Sequence, residues 1–512
     1  MILLVEPISK NIGMYVPAYP LPLLEIAGYT KMKNPDVEIK VISIPMDYGL
    51  PLNHNGKDLI YDELIEDISQ LKPVGIGISC TAISQAEESI HLCEIIKKTN
   101  PEIFLFLGGY FPTLYYEDIL KRTDAVDLIV RGEGEIPALE IIERLEDGRD
   151  PRDKKIHGLV WKDNDTLIFT QNSERFDLND KAVLDLTLLK NPAAYDVLPY
   201  SFSRGCPYRC NFCMEDYIRP SRKAVPSEII ESDLRNLANH CKAKDIVVCD
   251  ALFRSFDLVT VLRALGMKIH FETRCDVFDP EIIPEIHDVC GTLVLGFESA
   301  SYNTLCRMSK VKSREHYERY LSNTVAIFKK AAEYEIPLMI FMIAGYPGDT
   351  EDDLAESYNF AKKLTEFSGR AGHVFKIGEC HVYPKTKIHD LAVSLPDVVF
   401  DDDTVFGQNV VRKPSRDLHF ETIMSYTDKI YRLSSNTEKL QTAFLKMVPF
   451  FRLPASSLTD PVIPDYCYRD RKRNILKVNG DDLDSLRGFL STLRKAKKDE
   501  LSGRRSSRVL NL

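Results

Sequence analysis

The strongest constraint in this 512-residue sequence is an alternation of short apolar runs with amphipathic stretches, and it occurs twice. In residues 1–145 the segments "MILLVEP", "EIKVISIP", "PVGIGISC", "IFLFLGG" and "DLIVRGEGE" have the length and composition of buried strands. Helical patterns lie between several of them, among them "DELIEDISQL", "SQAEESIHLCEIIKKT" and "YYEDILKR". Strands joined through helices run parallel, so this region is predicted to be a doubly wound α/β domain. Such sheets take ligands beyond the carboxyl ends of their strands. There the sequence places Ser79, Gly108-Gly109 and Gly132-Glu133-Gly134-Glu135.

Residues 146–197 are polar and turn-rich and read as a linker across a domain junction, with a hairpin around "GLVWKDNDTLIFTQ". A second βα series occupies 198–395: "YSFSRG", "DIVVCD", "KIHFETRCD", "GTLVLGFES", "PLMIFMIAGYPG" and "HVFKIGECHVYP". Long amphipathic stretches such as "SREHYERYLSNTVAIFKKAAEYE" separate them. Six parallel strands predict a partial (βα)6 barrel, whose active site lies at the C-terminal strand ends. Residues 396–512 read as a small, mostly helical region that helps close the barrel and select substrate. Tyr466, Cys467 and Tyr468 within it read as core or docking residues.

Apolar residues make up 44% and charged residues 28%, as in ordinary globular domains. A net charge of -10 gives no footing to a general nucleic-acid binder, which needs a basic face. The basic tail "LRKAKKDELSGRRSSRVL" reads as a solvated terminus. The first residues lack a positive n-region, and no apolar run approaches the roughly 20 residues of a membrane span. The expected location is cytoplasmic.

Twelve cysteines are scattered without disulfide-like spacing, with one exception. "GCPYRCNFC" puts Cys206, Cys210 and Cys213 within eight residues, and the next cysteine is Cys241. Structural zinc takes four ligands, commonly as two separated pairs, so zinc would require Cys241 or Cys249 as well. A [4Fe–4S] cluster held by three thiolates leaves one iron open. An open iron can bind a small molecule and pass it an electron.

"GCPYRCNFC", including Phe212 before the last cysteine, resembles the CxxxCxxC signature of the radical S-adenosylmethionine (AdoMet) enzymes. The resemblance implies that Cys206, Cys210 and Cys213 hold the cluster and that its open iron binds AdoMet. Reductive cleavage of the sulfonium then releases a 5′-deoxyadenosyl radical. "GFESAS", with Glu298 and Ser299, is similar to the family's fourth-strand element that reaches AdoMet. "ETRCD" places Arg274 to grip a carboxylate or to pair internally with Glu272 or Asp276. "GYPGDTEDDL" resembles the family's strand-to-helix turn, with Gly345, Pro347 and Gly348 shaping it, Asp349 or Thr350 capping the helix, and adenine contacts second. "CDALF" keeps the second acid of a related motif at Asp250, with Cys249 in place of the first.

The domain order resembles the cobalamin-binding subclass over residues 1 to about 395. "LGGYFPTLYYEDIL" and "DLIVRGEGE" are similar to that subclass's strand-end motifs, the first departing at Tyr110, where histidine is frequent, and at Tyr116, where proline is usual. The resemblance implies cobalamin contacts from Ser79, Thr81, Gly108, Gly109, Tyr110, Gly132, Glu133, Gly134 and Glu135. The DxHxxG cobalt-ligand motif is absent, since Asp47 and His54 in "MDYGLPLNH" have the wrong spacing. The implied activity is methyl transfer from methylcobalamin to an unactivated carbon of a small molecule, with a donor such as flavodoxin or ferredoxin supplying electrons. Oxidative cyclisation or rearrangement with the same cofactors is the alternative. A sensor with a structural cluster is a third reading.

Overall fold

In the computed structural model the two alternations become two sheets, of seven and six strands. The structure describes residues 1–9, 18–51, 54–195, 197–401, 410–435, 469–470 and 475–476. The first sheet contains β1 (Ile2–Glu6), β2 (Ile39–Ser43), β3 (Gly75–Ser79), β4 (Phe104–Gly108), β5 (Leu128–Val130), β6 (Leu159–Asp163) and β7 (Thr166–Phe169). Its spatial order is β2-β1-β3-β4-β5-β6-β7, parallel through β5 and antiparallel in the last two strands. The hairpin expected inside a linker therefore extends the first sheet: Ile129 pairs with Val160 and Val130 with Leu159. Leu159, Val160 and Trp161 are buried there, an apolar run that the polar flanks obscured in the sequence.

After β1 the chain forms a helix at Leu21–Lys33. Pro22 sits in its first turn, where a missing N–H costs nothing. Leu21, Leu23, Leu24 and Ala27 bury its inner face.

The second sheet contains β8 (Leu198–Tyr200), β9 (Asp245–Val248), β10 (Lys268–Arg274), β11 (Cys290–Glu298), β12 (Leu338–Ala344) and β13 (His373–Glu379). All neighbours are parallel, and the edge strands β8 and β13 do not pair with each other, giving a partial (βα)6 barrel. The first strand lies earlier than "YSFSRG" suggested, because Ser203–Arg204 pairs antiparallel with Lys223–Ala224 and closes the cysteine loop. Val247, Val294, Met339 and Val374 pack together inside the barrel and plug its lower part.

The helix Phe420–Tyr431 follows the second sheet. Just after it, Ser434 Oγ and Ser435 Oγ accept the Phe375 and His373 amides at 3.0 and 2.6 Å, which covers the open edge of β13. Tyr466, Cys467, Tyr468 and most of the expected C-terminal helical segments lie outside the described residues. Among the described residues no helix is long and apolar enough to cross a membrane.

Candidate active site

The cysteine loop begins at Gly205, whose φ of +83° only glycine adopts freely, and a side chain there would strike the Ser221 carbonyl at 2.0 Å. Cys206 and Cys210 are buried and Cys213 is partly exposed. Burial raises the pKa of Cys206 and pushes Cys213 up to about 12, so metal must displace protons from these thiols. Among the described residues no three ligands converge on one metal ion. The thiolates of a cubane each serve a different iron. Of the cysteines proposed to complete a zinc site, Cys241 is buried and Cys249 opens into the cavity described below.

Arg274 donates to Cys210 Sγ at 3.0 Å and makes a two-pronged pair with Asp276, both contacts at 2.9 Å. Its guanidinium also lies 4.1 Å from the centre of the Tyr208 ring. Arg274 is thus committed to an internal ion pair and to the cysteine loop, and its position as a carboxylate grip is already filled. Glu298 stands at the end of β11 with φ of +65°, a strained conformation for a side-chain-bearing residue. Its Oε1 lies 3.0 Å from Lys310 Nζ, and Lys310 also donates to the Gly296 carbonyl at 2.9 Å. Burial, the largest influence, lowers the Lys310 pKa, but the charge and hydrogen bond of Glu298 together with Cys210 outweigh it and the net shift is upward. Lys310 carries no sequence signal, because it sits in a turn after a helix with no motif around it.

Other expected AdoMet contacts serve the scaffold. Asp250 accepts from the Phe202 amide at 2.7 Å and from Ser203 Oγ at 2.5 Å, anchoring the approach to the cysteine loop. Burial pushes its pKa up to about 7 despite those donors. Ser299 Oγ shares a hydrogen bond with Ser357 Oγ at 3.0 Å. In the Gly345-Tyr346-Pro347-Gly348 turn, Asp349 accepts from the Tyr346 amide at 2.8 Å and pairs with Arg307 at 2.6 Å. Thr350 caps the following helix with Asp353 in a capping box. Phe212 packs against a cluster that contains Met308, Tyr346 and Val382.

A cavity of about 680 Å³ separates the two sheets at their C-terminal edges. Its wall includes Ser79, Thr81, Gly108, Gly109, Tyr110 and Gly132 to Glu135 from the first sheet, and Arg204, Met214, Arg219, Cys249 and Tyr383 from the barrel. All nine residues that the motifs nominated for cobalamin are therefore brought to one cavity. Their individual parts differ from the expectation. Gly108 leaves room, with its nearest neighbour for a side chain at 3.9 Å, but Gly109 has φ of +113° and a side chain there would meet the Cys80 carbonyl at 2.4 Å. The second glycine is required by the turn itself.

Glu133 and Glu135 also face inward to protein. Arg204, next to the cysteine loop, pairs with Glu135 at 2.5 Å, Glu25 at 2.9 Å and Glu133 at 3.4 Å, and none of the four side chains is more than 7% exposed. Glu133 further binds Arg175 at 2.7 Å. Tyr110 donates to Glu215 at 2.7 Å, and Glu215 pairs with Arg219 at 2.8 Å. Burial, with the charge of Glu133 adding to it, pushes Glu215 up to about 8 even against Arg175. Two charge networks thus tie the first sheet to the cysteine loop. The sequence signalled the acids but not their partner, since Arg204 looked like one more polar residue of a strand end. Asp47 accepts the Ser43 amide at 2.9 Å, and the side chain of His54 lies outside the described residues.

The cavity wall and the cysteine loop fit the groups that the motifs imply, and family comparisons coincide with them. Residues 14–142 match the model of the B12 binding domain, and residues 200–361 match that of the Radical SAM superfamily. The chain belongs to the cobalamin-binding radical AdoMet enzymes. Its two domains imply cobalamin, AdoMet and a [4Fe–4S] cluster. This radical AdoMet enzyme is 25% identical over 381 residues to an uncharacterized methyltransferase, PH0819, of Pyrococcus horikoshii, covering 71% of the chain and 78% of that protein. It is 26% identical over 325 residues to the anaerobic magnesium-protoporphyrin IX monomethyl ester cyclase of Rubrivivax gelatinosus, covering 60% of the chain and 57% of the cyclase. The radical AdoMet methyltransferase TsrM of Kitasatospora setae, solved with cobalamin and a [4Fe–4S] cluster, shares the fold with a TM-score of 0.60 at 13% identity, over 97% of this chain and 99% of that one.

Proposed function

We propose that this radical AdoMet enzyme transfers a methyl group to an unactivated carbon of a small molecule. The observation that carries the reading is the placement of the cavity. Its wall is shared by the strand ends of the first sheet and by Arg204, Met214 and Arg219, which flank the cysteine loop. A methyl donor in that cavity is delivered to the barrel mouth, where a substrate radical would form. When bound, the cluster supplies the electron that cleaves AdoMet, and cobalamin supplies a transferable methyl group.

The chain's own residues then have assignable tasks. Cys206, Cys210 and Cys213 hold the cluster, and Arg274, by its contact with Cys210, fixes the position of that ligand. Glu298, held by Lys310, presents a fixed acceptor at the barrel mouth to AdoMet. Ser79, Thr81 and Gly108 line the wall against the corrin, while Gly109, Glu133 and Glu135 shape that wall from behind. Tyr110, through Glu215, fixes the cavity wall to the cysteine loop. A small reductant such as flavodoxin or ferredoxin delivers the electrons.

The test is anaerobic reconstitution with AdoMet deuterated in its methyl group, followed by mass spectrometry of incubated small-molecule candidates. A product heavier by a deuterated methyl supports the reading. Oxidative cyclisation is the second reading, favoured by the likeness to the Rubrivivax cyclase. It predicts a product that has lost hydrogen and carries no label.

A further inference from the structure

The barrel lumen contains polar groups to which the cluster and cavity give no task. Cross-strand register sets Glu272 of β10 beside Val294 of β11. One level nearer the mouth it sets Arg274, Gly296, Phe341 and Lys376 side by side. Val294, Met339 and Val374 belong to the apolar plug, so Glu272 stands at the plug's upper surface and Lys376 just above it on another wall. Arg274 is taken by Asp276 and Cys210. Glu272, Phe341 and Lys376 are only partly buried.

Space remains above this floor. A side chain at Gly378, two residues beyond Lys376, would meet nothing within 4 Å. At Gly296 it would sit 3.1 Å from Glu298 Oε1, 3.4 Å from Lys310 Nζ and 3.6 Å from Glu272 Oε1, so two carboxylates and an ammonium converge there. Lys310 is matched by Glu298 at 3.0 Å. Among the described residues no donor reaches the Glu272 carboxylate. Lys310 and, less strongly, Lys376 add to the field at Glu272, and the Nζ of Lys376 lies 5.2 Å from the centre of the Phe341 ring. A half-buried carboxylate without a donor carries a desolvation cost that a ligand's donor group would relieve.

We propose that the lumen is built for a small amphoteric molecule, with Glu272 taking its ammonium or N–H group, Lys376 its acid group, and Phe341 its apolar body. An amino-acid-like substrate has this chemistry. A purely cationic one would meet Lys376, and a purely anionic one would meet Glu272 and Glu298. The inference rests on the barrel being the substrate site of the methyl-transfer reading and adds the class of molecule that enters it.

The experiment uses full-length enzyme reconstituted anaerobically with cluster and hydroxocobalamin, and measures by equilibrium dialysis the binding of L-phenylalanine, phenethylamine and 3-phenylpropionate. In the wild type, phenylalanine binds about tenfold or more tightly than either single-charge probe. Glu272→Gln weakens phenylalanine and phenethylamine about tenfold and spares phenylpropionate, whereas Lys376→Met weakens phenylalanine and phenylpropionate and spares phenethylamine. Equal binding of the three probes to the wild type, or no binding of phenylalanine, overturns the proposal without reference to any variant. So does a variant that weakens all three alike. Dialysis with AdoMet separates the remaining alternative: if Glu272→Gln weakens AdoMet as much as phenylalanine, the carboxylate serves AdoMet and the proposal fails. Formation of 5′-deoxyadenosine by the wild type is scored separately, and its absence counts against the radical methyl-transfer reading, whatever the probes do.

Discussion

The rim of the first sheet and the rim of the barrel are built from opposite materials, although both lie at the carboxyl ends of parallel strands. The first presents small residues, Ser79, Thr81, Gly108 and Gly132, to a cavity of about 680 Å³ and keeps its charges, Glu133 and Glu135, turned onto Arg204. The second crowds charge into the mouth itself, with Arg274 on Asp276 and Cys210 and Lys310 on Glu298. A wide, largely neutral wall suits a large ligand held by shape and backbone amides. A mouth of fixed charges suits a small, highly charged ligand oriented by hydrogen bonds. The same fold rule therefore yields a container in one sheet and an orienting device in the other.

The comparison breaks first at the barrel rim. Cys210→Ala removes a cluster ligand and the partner of Arg274, so 5′-deoxyadenosine formation falls to background and iron content drops while the first sheet still retains cobalamin. Loss of both cofactors together would show that the two rims do not act separately. The joint between them is next. Arg204→Met leaves Glu25, Glu133 and Glu135 buried without their shared cation and costs about 3–5 kcal/mol, read from urea unfolding. Cobalamin retention falls with it, because the cavity wall shifts.

Two neighbouring glycines sharpen the contrast within the first rim. Gly109→Ala forces a side chain against the Cys80 carbonyl at a positive φ and destabilises by about 2 kcal/mol or more. Gly108→Ala has open space, so its stability stays within about 0.5 kcal/mol and only cobalamin retention responds. Equal stability losses would mean that the rim is not organised as described.

How much of this was legible in the sequence depends on what kind of fact is asked for. Strand-like runs and helical periods marked both parallel sheets, because a buried parallel strand is a continuous apolar run. The hairpin Leu159–Phe169 reads as part of a linker because its polar turn and flanks outweigh three buried residues. The thiol triplet was legible through its spacing. The carboxylates of "RGEGE" and "GFES" were legible as candidates, but their partners were not. Glu298 and Lys310 are twelve residues apart and joined across a strand end, while Glu135 and Arg204 come from different domains. Pairing over such distances is fixed by tertiary packing, which no local pattern encodes.

An effect smaller than those of Arg204 and Gly109 concerns pH. Burial pushes Glu6, Asp250 and Glu272 each up to about 7, so the folded chain binds more protons than the unfolded one between the ordinary carboxylate range and that value. Stability therefore falls as pH rises from about 5 to 8, in the sense opposite to a salt-bridged carboxylate. Asp276 and Asp353, whose pKa values are lowered despite burial by hydrogen bonds and nearby cations, oppose this trend only at more acidic pH. Asp250→Asn should flatten the fall by on the order of 1 kcal/mol in urea titrations at pH 5 and pH 8. An unchanged slope would place Asp250 in a more polar setting than its burial implies.

The most direct test of the central claim counts both products of AdoMet. With the full chain, a low-potential reductant and a substrate that turns over, the account predicts S-adenosylhomocysteine and 5′-deoxyadenosine in comparable amounts, both dependent on substrate. Turnover that yields 5′-deoxyadenosine without S-adenosylhomocysteine would contradict methyl transfer.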